Sequence, residues 1–162
     1  MNKHLFYLER CVEIADEARK NGNMPFGALL VDEEGTILLE QGNIEVTEHV
    51  CTGHAETTLA QKASILYDKK DLKKFTLYTT VEPCVMCSGA IYWANIGKVV
   101  FALSEEKLLS LTGNDKKNLT FSLPCKKVFS FGQKNIKVIG PFEELEDKVK
   151  KSHIGFWSKS DC

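Results

Sequence analysis

Two spacings of apolar residues alternate along the chain. Between residues 5 and 18 they recur every three or four positions, which predicts an amphipathic helix that stops at Asn21-Gly22-Asn23. Apolar, β-branched or aromatic runs predict strands at 26–31, 36–40, 75–81, 98–103 and 136–139, and a weaker strand near 128–131. Further helices are predicted at 55–65, 83–95, 104–111 and from 142 onward, with irregular segments at 41–53 and 112–125. Strands alternating with such helices predict an α/β layered sheet.

Composition narrows the class of protein. A chain of 162 residues is long enough for one domain, placed at 1–162. The formal net charge of −1 lacks the basic excess usual in proteins that hold a long nucleic acid, so a tRNA partner is possible but not favoured. Neither a signal peptide nor a membrane-spanning run is recognised, and no membrane partner is expected. The six cysteines are interpreted as reduced thiols, which predicts a cytoplasmic location.

Residues able to bind a metal lie in two short motifs. Cys84 and Cys87 stand three positions apart behind Pro83, at a predicted helix start, where such a pair shares one face. The positive end of the helix favours their thiolate form. His54 opens the preceding predicted helix, so the three residues supply the ligands of a catalytic zinc and leave one position for water. Glu56 is then free to move protons between that water, a substrate ring nitrogen and the leaving ammonia.

A structural zinc site is the alternative to a catalytic one. Structural sites usually have four protein ligands, and Cys51, three residues before His54, is the candidate for the fourth. Such a site would give Glu56 no function, so the residues favour catalysis. A non-catalytic zinc-binding interaction module remains the alternative of another class. The other histidines, His4, His49 and His153, are predicted to lie at the surface.

The paired motifs His54-Ala55-Glu56 and Pro83-Cys84-Val85-Met86-Cys87 resemble those of the cytidine-deaminase-like superfamily, whose zinc enzymes deaminate nucleobases. The resemblance runs from about Cys11 to Leu103. With Pro25-Phe26-Gly27-Ala28, it is similar to the branch that holds bacterial guanine deaminases, tRNA adenosine deaminases and fungal-type cytosine deaminases. It implies a three-layer α/β/α sandwich with a mixed, about five-stranded sheet, one Zn²⁺ per chain and a homodimer.

The same resemblance supplies candidates for substrate contact. Asn43 matches an asparagine that faces the base or sugar, Asp115 falls loosely where guanine deaminases keep a base-contacting aspartate, and Phe156-Trp157 resembles an aromatic lid. Each has a plainer alternative as a turn, solvated-loop, packing or interface residue. In chain order, the candidates are Phe26, Asn43, Ala55, Trp93, Asp115, Phe156 and Trp157.

These motifs indicate a zinc hydrolase that replaces an exocyclic amine of a free nucleobase with oxygen. Guanine is the leading substrate because Ile91-Tyr92-Trp93-Ala94 is similar to the same segment of guanine deaminases. Residues 50–53 and 112–132 depart from the guanine and tRNA enzymes. A tRNA adenosine deaminase and a cytosine deaminase therefore stay as alternatives.

Overall fold

The computed structural model describes residues 2–113, 115–116 and 118–157. The helices are α1 (Lys3–Lys20), α2 (Glu45–Glu48), α3 (Ala55–Leu66), α4 (Lys69–Leu72), α5 (Val85–Ala94), α6 (Glu105–Thr112), α7 (Cys125–Ser130) and α8 (Glu143–His153). The strands are β1 (Gly27–Val31), β2 (Ile37–Gly42), β3 (Thr76–Val81), β4 (Lys98–Leu103) and β5 (Lys137–Ile139).

The strands form one mixed five-stranded sheet of order β2-β1-β3-β4-β5. β1 pairs antiparallel with β2 and β3, whereas β3, β4 and β5 run parallel. In the register, Thr79 of β3 stands between Ala28 of β1 and Phe101 of β4. Because parallel strands end at the same edge of a sheet, the segments that follow β3 and β4 emerge side by side.

Helices cover both faces of the sheet. Ala28 and Leu30 belong to an apolar cluster with side chains of α3, α5 and α7, whereas Leu29 and Val31 belong to one with α1, α6 and α8. Successive strand residues point to opposite faces, so β1 contributes to both clusters. The three-layer α/β/α sandwich is confirmed. Among the residues described, no helix has the length and apolar character needed to cross a membrane.

α1 lies directly on β1. The Asn2 side chain caps its start by accepting a hydrogen bond from the His4 amide at 3.1 Å, and Gly22, with φ +90°, follows its end. A Cβ atom at Gly27 would come within 2.4 Å of the Cys11 carbonyl oxygen. Only glycine therefore fits at this position in the Pro25-Phe26-Gly27-Ala28 motif without a backbone shift.

The prediction of a weak strand near 128–131 is wrong. These residues lie in and directly after α7, which begins after Pro124. Cys125 and Phe129 are both buried, and a spacing of four residues puts both on the same face of a helix. The apolar signal was real, but its period was that of a helix.

Three smaller predictions also differ from the structure. The segment 41–53 contains the end of β2 and the short helix α2. α5 begins at Val85 rather than at Pro83, with Cys84 as its N-cap. His153 is buried, with Nδ1 accepting a hydrogen bond from Trp157 Nε1 at 3.0 Å, because its helix packs against α1. His49 is exposed, as predicted.

Candidate active site

The candidate metal ligands sit at the starts of two adjacent helices. His54 is the N-cap residue of α3, and Cys84 is the N-cap residue of α5, with Cys87 in its first turn. α3 and α5 pack against each other, which brings their N-terminal ends together. Each helix start carries free N–H groups and a partial positive charge, an environment that suits thiolates.

The three side chains converge on one point. His54 Nδ1 lies 3.6 Å from Cys84 Sγ and 3.5 Å from Cys87 Sγ, and one ligand atom from each residue lies within 4.8 Å of the others. Imidazole with two thiolates is a donor set that zinc prefers, and three protein ligands are typical of a catalytic zinc site. Cys51 is exposed and lies outside this group.

The charges of the cluster also suit a cation. Hydrogen bonding from Cys87, against the effect of burial, lowers the pKa of Cys84 to about 4, and the same interaction raises the pKa of Cys87 well above its ordinary value. Burial lowers the pKa of His54, but Cys84 and Glu56 outweigh it and raise it to about 9. A metal bound here would displace the proton shared by the two thiols together with any proton on His54, because all three groups bind a metal in their deprotonated forms.

Glu56 lies beside the cluster in the first turn of α3. Its Oε1 accepts a hydrogen bond of 2.5 Å from the Thr79 hydroxyl on β3, and its Oε2 lies 3.5 Å from Cys87 Sγ. Burial raises the pKa of this carboxyl group, while the Thr79 hydrogen bond opposes the shift. A buried carboxyl group with a raised pKa, fixed by one neighbour, is suited to moving protons in both directions.

His54, Glu56 and Cys84 line a cleft of about 190 Å³ at the edge of the sheet where β3 and β4 end. Its polar lining is acidic: besides Glu56, the side chains of Glu45, Glu82 and Glu105 contribute to the wall. No lysine or arginine is among the described residues that line it. The apolar lining consists of Met24, Phe26, Val81, Leu108, Leu119 and Phe121.

Of the predicted substrate contacts, only Phe26 is among the described residues that line this cleft. Asn43 is buried outside the lining and bonds to the wall residue Glu45: its Nδ2 donates to Glu45 Oε2 at 2.7 Å, and its Oδ1 accepts from the Glu45 amide at 3.0 Å. Ala55 is fully buried between His54 and Glu56 and packs in the core.

The structure does not place the other four candidates in the cleft wall. Trp93 is 75% exposed on α5, and Asp115 is buried outside the cleft lining. Trp157 stands behind Phe26, with ring centroids 6.3 Å apart, and Phe156 packs edge-on against Trp157. The C-terminal aromatics therefore support a wall residue of the cleft from behind.

Several cleft residues were missed from the sequence. Glu105 directly follows Ser104 at the end of β4, and the carboxyl-end rule for parallel strands could have located it. Glu45 holds His54, with its Oε2 3.6 Å from Nε2. Glu82 directly precedes the cysteine motif, and its oxygens accept hydrogen bonds from the amides of Glu105 and Cys125. Nothing in the sequence of residues 118–121 indicated that they would line the cleft.

A His/Cys/Cys cluster with a buried glutamate, at the strand ends of an α/β/α sandwich, defines the class of zinc-dependent deaminases. The sequence model of the cytidine and deoxycytidylate deaminase zinc-binding region matches residues 1–103. The chain belongs to this family.

Relatives within the family differ in their named substrates. The chain is 37% identical over 155 residues to a probable cytosine deaminase of Schizosaccharomyces pombe, covering 96% of this chain and 93% of the relative. It is 38% identical over 96 residues to a tRNA-specific adenosine deaminase of Haemophilus influenzae, covering 59% and 56%. The X-ray structure of guanine deaminase from Bacillus subtilis superposes with a TM-score of 0.61 at 38% identity, covering 68% and 69%.

Proposed function

We propose that this protein is a zinc-dependent hydrolytic deaminase that removes an exocyclic amino group from a free nucleobase and releases ammonia. The observation that carries the proposal is the convergence of His54, Cys84 and Cys87 beside the buried Glu56 in one cleft. A purely structural metal site would need neither a buried proton carrier nor an open cleft beside the ligands.

In this proposal His54, Cys84 and Cys87 hold one Zn²⁺ per chain. A zinc ion there supplies Lewis-acid activation of the water that attacks the amine-bearing carbon. Glu56 would accept one proton from that water and deliver it to the ring nitrogen. It would then carry the second proton, from the newly added hydroxyl group, to the amino group, so that the C–N bond breaks, the carbonyl forms and ammonia leaves. Thr79 fixes one Glu56 oxygen by a hydrogen bond, and the other oxygen lies 3.5 Å from Cys87 Sγ, next to the proposed metal ligands.

Guanine is the proposed substrate. The polar part of the wall offers hydrogen-bonding groups, and guanine presents both donors, in its amino and ring N–H groups, and acceptors, in its carbonyl oxygen and ring nitrogens. Apolar side chains such as Phe26 and Phe121 suit the flat faces of a base. Similarity to the guanine deaminase of Bacillus subtilis supports this choice.

Cytosine is the second candidate. It is favoured by the match to the probable cytosine deaminase of Schizosaccharomyces pombe, which extends through the segments after residue 103 that build the outer part of the cleft. The sequence match to the guanine deaminase of Bacillus subtilis covers 69% of this chain.

A tRNA substrate is disfavoured by charge. Phosphate contacts supply most of the affinity of nucleic-acid-binding proteins, and lysine and arginine make them. The described cleft wall has none of these residues and carries Glu45 and Glu82, whose negative charges would repel phosphates.

The whole chain, 1–162, is proposed to act as one deaminase domain and as a homodimer in the cytoplasm. One sheet with helices on both faces supports a single domain. Exposed apolar side chains in the α3–α5–α7 layer support the dimer: Ile65, Leu66 and Trp93, with Phe131 directly after α7. A centre that needs reduced thiols supports the cytoplasm. Light scattering on the protein as it elutes from a size-exclusion column would give the number of subunits. A monomer would contradict the proposed homodimer.

An ammonia-release screen tests the function. Zinc-loaded protein is incubated separately with guanine, cytosine, adenine, their nucleosides and unmodified tRNA, with Glu56→Gln as the matched inactive control. Release from guanine or cytosine, and none from tRNA, is the expected result. Activity confined to tRNA would overturn the free-base proposal. Stoichiometric zinc with no release from any compound would favour a non-catalytic zinc-binding module.

A further inference from the structure

Glu105 is a buried carboxyl group in the wall of the cleft. It is the first residue of α6, directly after the end of β4, and only 4% of its surface is exposed. The same cleft is lined by His54, Glu56 and Cys84. Its backbone amide is fixed by a hydrogen bond of 3.1 Å to Glu82 Oε2, so its position at the wall is well determined.

The neighbouring carboxyl group of Glu82 provides a comparison, because its hydrogen bonds give it a structural role in the same wall. Both Glu82 oxygens accept backbone hydrogen bonds, from the amides of Glu105 and Cys125. In contrast, Glu105 Oε2 is buried without a hydrogen-bond partner among the described residues. Buried polar atoms are almost always paired, so an unpaired one at a cleft wall points to a partner that arrives from outside.

We propose that Glu105 is a specificity-determining residue whose carboxyl group hydrogen-bonds to the heterocycle bound in the cleft. This proposal rests on the proposed function, since it names a contact of the same site. Glu56 moves protons at the reacting carbon, whereas Glu105 recognises another edge of the same ring.

The chemistry of this contact follows from the surroundings of Glu105. Burial, the largest effect, raises its pKa to about 8, and the negative charges of Cys84, Glu56 and Glu82 add to the shift while His54 opposes it. Burial acts whatever is bound at the three ligands. A neutral carboxyl group can donate a hydrogen bond, so its natural partner is an acceptor on the substrate. The substrate class is therefore an amino-substituted heterocycle with a ring nitrogen or carbonyl oxygen away from the reacting carbon.

Two substitutions separate recognition from structure. Glu105→Gln keeps the size and a donor and should leave KM within about threefold of the parent value. Glu105→Leu removes all hydrogen bonding and should raise KM by about 10- to 100-fold with a smaller change in kcat. Because the leucine also removes an unpaired buried oxygen, its Tm should stay equal or rise. Glu106→Gln, on the exposed side of the same helix, is the matched control and should change neither KM nor Tm.

A second arm does not depend on turnover. Titration calorimetry on zinc-loaded protein would measure the binding of guanine, of cytosine and of analogues in which one ring nitrogen is replaced by CH. The parent protein should bind one of these analogues more weakly than it binds the corresponding base. The Glu105→Leu variant should bind that analogue and its parent base equally.

The outcomes distinguish this contact from the proposed function. Unchanged KM and unchanged discrimination in Glu105→Leu, or a fall in Tm with discrimination intact, would show that Glu105 is structural while deamination stands. Bases that bind through Glu105 but release no ammonia would overturn the function and keep the contact. No binding of any base to the parent protein would overturn both.

Discussion

The cleft has an inner wall and an outer wall that are built differently. We define the inner wall as His54, Glu56 and Cys84, taken together with the fully buried Cys87 that they contact, and the outer wall as residues 118–121. The inner residues lie at helix starts, where Glu56 is hydrogen-bonded to Thr79 and the ligand atoms contact one another. The outer wall has no helix or strand, and its apolar side chains stand out into solvent, with Leu119 73% and Phe121 65% exposed.

The difference separates two requirements of an enzyme. Metal ligands and a proton carrier tolerate little displacement, so they are placed on packed elements. Side chains that select a substrate can be replaced without disturbing the core, and loops carry them. Relatives named as cytosine, tRNA-specific adenosine and guanine deaminases are consistent with one inner wall combined with differing outer walls.

The largest effect is expected at the inner wall. Cys84→Ala should lose zinc and lower the rate of ammonia release by more than about 100-fold. Substituting a residue that only orients a metal ligand already lowers metal affinity or activity by about 10- to 100-fold, and removing the ligand itself should cost more. Metal content by mass spectrometry and ammonia assays measure both. Cys51→Ala is the matched control, since Cys51 is exposed and outside the ligand group, and it should keep both properties. Loss of zinc in Cys51→Ala would show a fourth ligand.

A smaller effect is expected one contact behind the inner wall. Thr79→Val removes the hydrogen bond to Glu56 and should lower kcat by about 10-fold with zinc retained. That hydrogen bond favours the ionised carboxylate, so its loss should raise the pKa of Glu56 further and move the acidic limb of the pH–rate profile to higher pH.

The control for this change is Thr76→Val, at the opposite end of the same strand, which should leave the pH profile in place. An unshifted profile in Thr79→Val would remove the positioning role from that threonine.

The outer wall should affect binding more than chemistry. Phe121→Ala removes apolar surface from the mouth of the cleft and should raise KM by about fivefold, with kcat nearly unchanged. Steady-state kinetics with the best base from the screen measure both constants. Phe6→Ala, at an exposed apolar residue of α1 outside both the cleft lining and the proposed dimer face, is the control. A fall in kcat equal to the change in KM would mean that the two walls are not separable.

The smallest effect is expected at Trp93. Since its side chain is 75% exposed and outside the cleft lining, Trp93→Ala should leave KM within about twofold. The same variant should weaken subunit association if the exposed apolar face is the dimer interface, which analytical ultracentrifugation would detect. A large rise in KM in a variant that still associates fully would show that Trp93 contacts the substrate.

The inner wall could be predicted from the sequence because its functional residues stand at characteristic short spacings along the chain. Cys84 and Cys87 are one helical turn apart, and Glu56 is two positions from His54. The sheet could be predicted for a similar reason, since β3 and β4 are continuous apolar runs. Both signals need only a few neighbouring residues.

The outer wall and its supports could not be predicted because they depend on contacts between distant segments. Glu82 draws Glu105 and Cys125 together through two backbone hydrogen bonds, a link across 43 residues for Cys125. Trp157 reaches Phe26 across the fold, and His153 is buried in the same aromatic group. Periodicity reports which face of an element is apolar, but it does not report which polar residue a second segment will cover.

The most direct test of the central claim is a single comparison of Glu56→Gln with the parent protein, measuring zinc content and ammonia release on the same samples. The substitution keeps the size of the side chain and leaves His54, Cys84 and Cys87 in place. The expected result is one zinc per chain in both proteins and a loss of turnover of about 100- to 10,000-fold in the variant. A variant that keeps its zinc and remains fully active would contradict the assignment of Glu56 as the proton carrier.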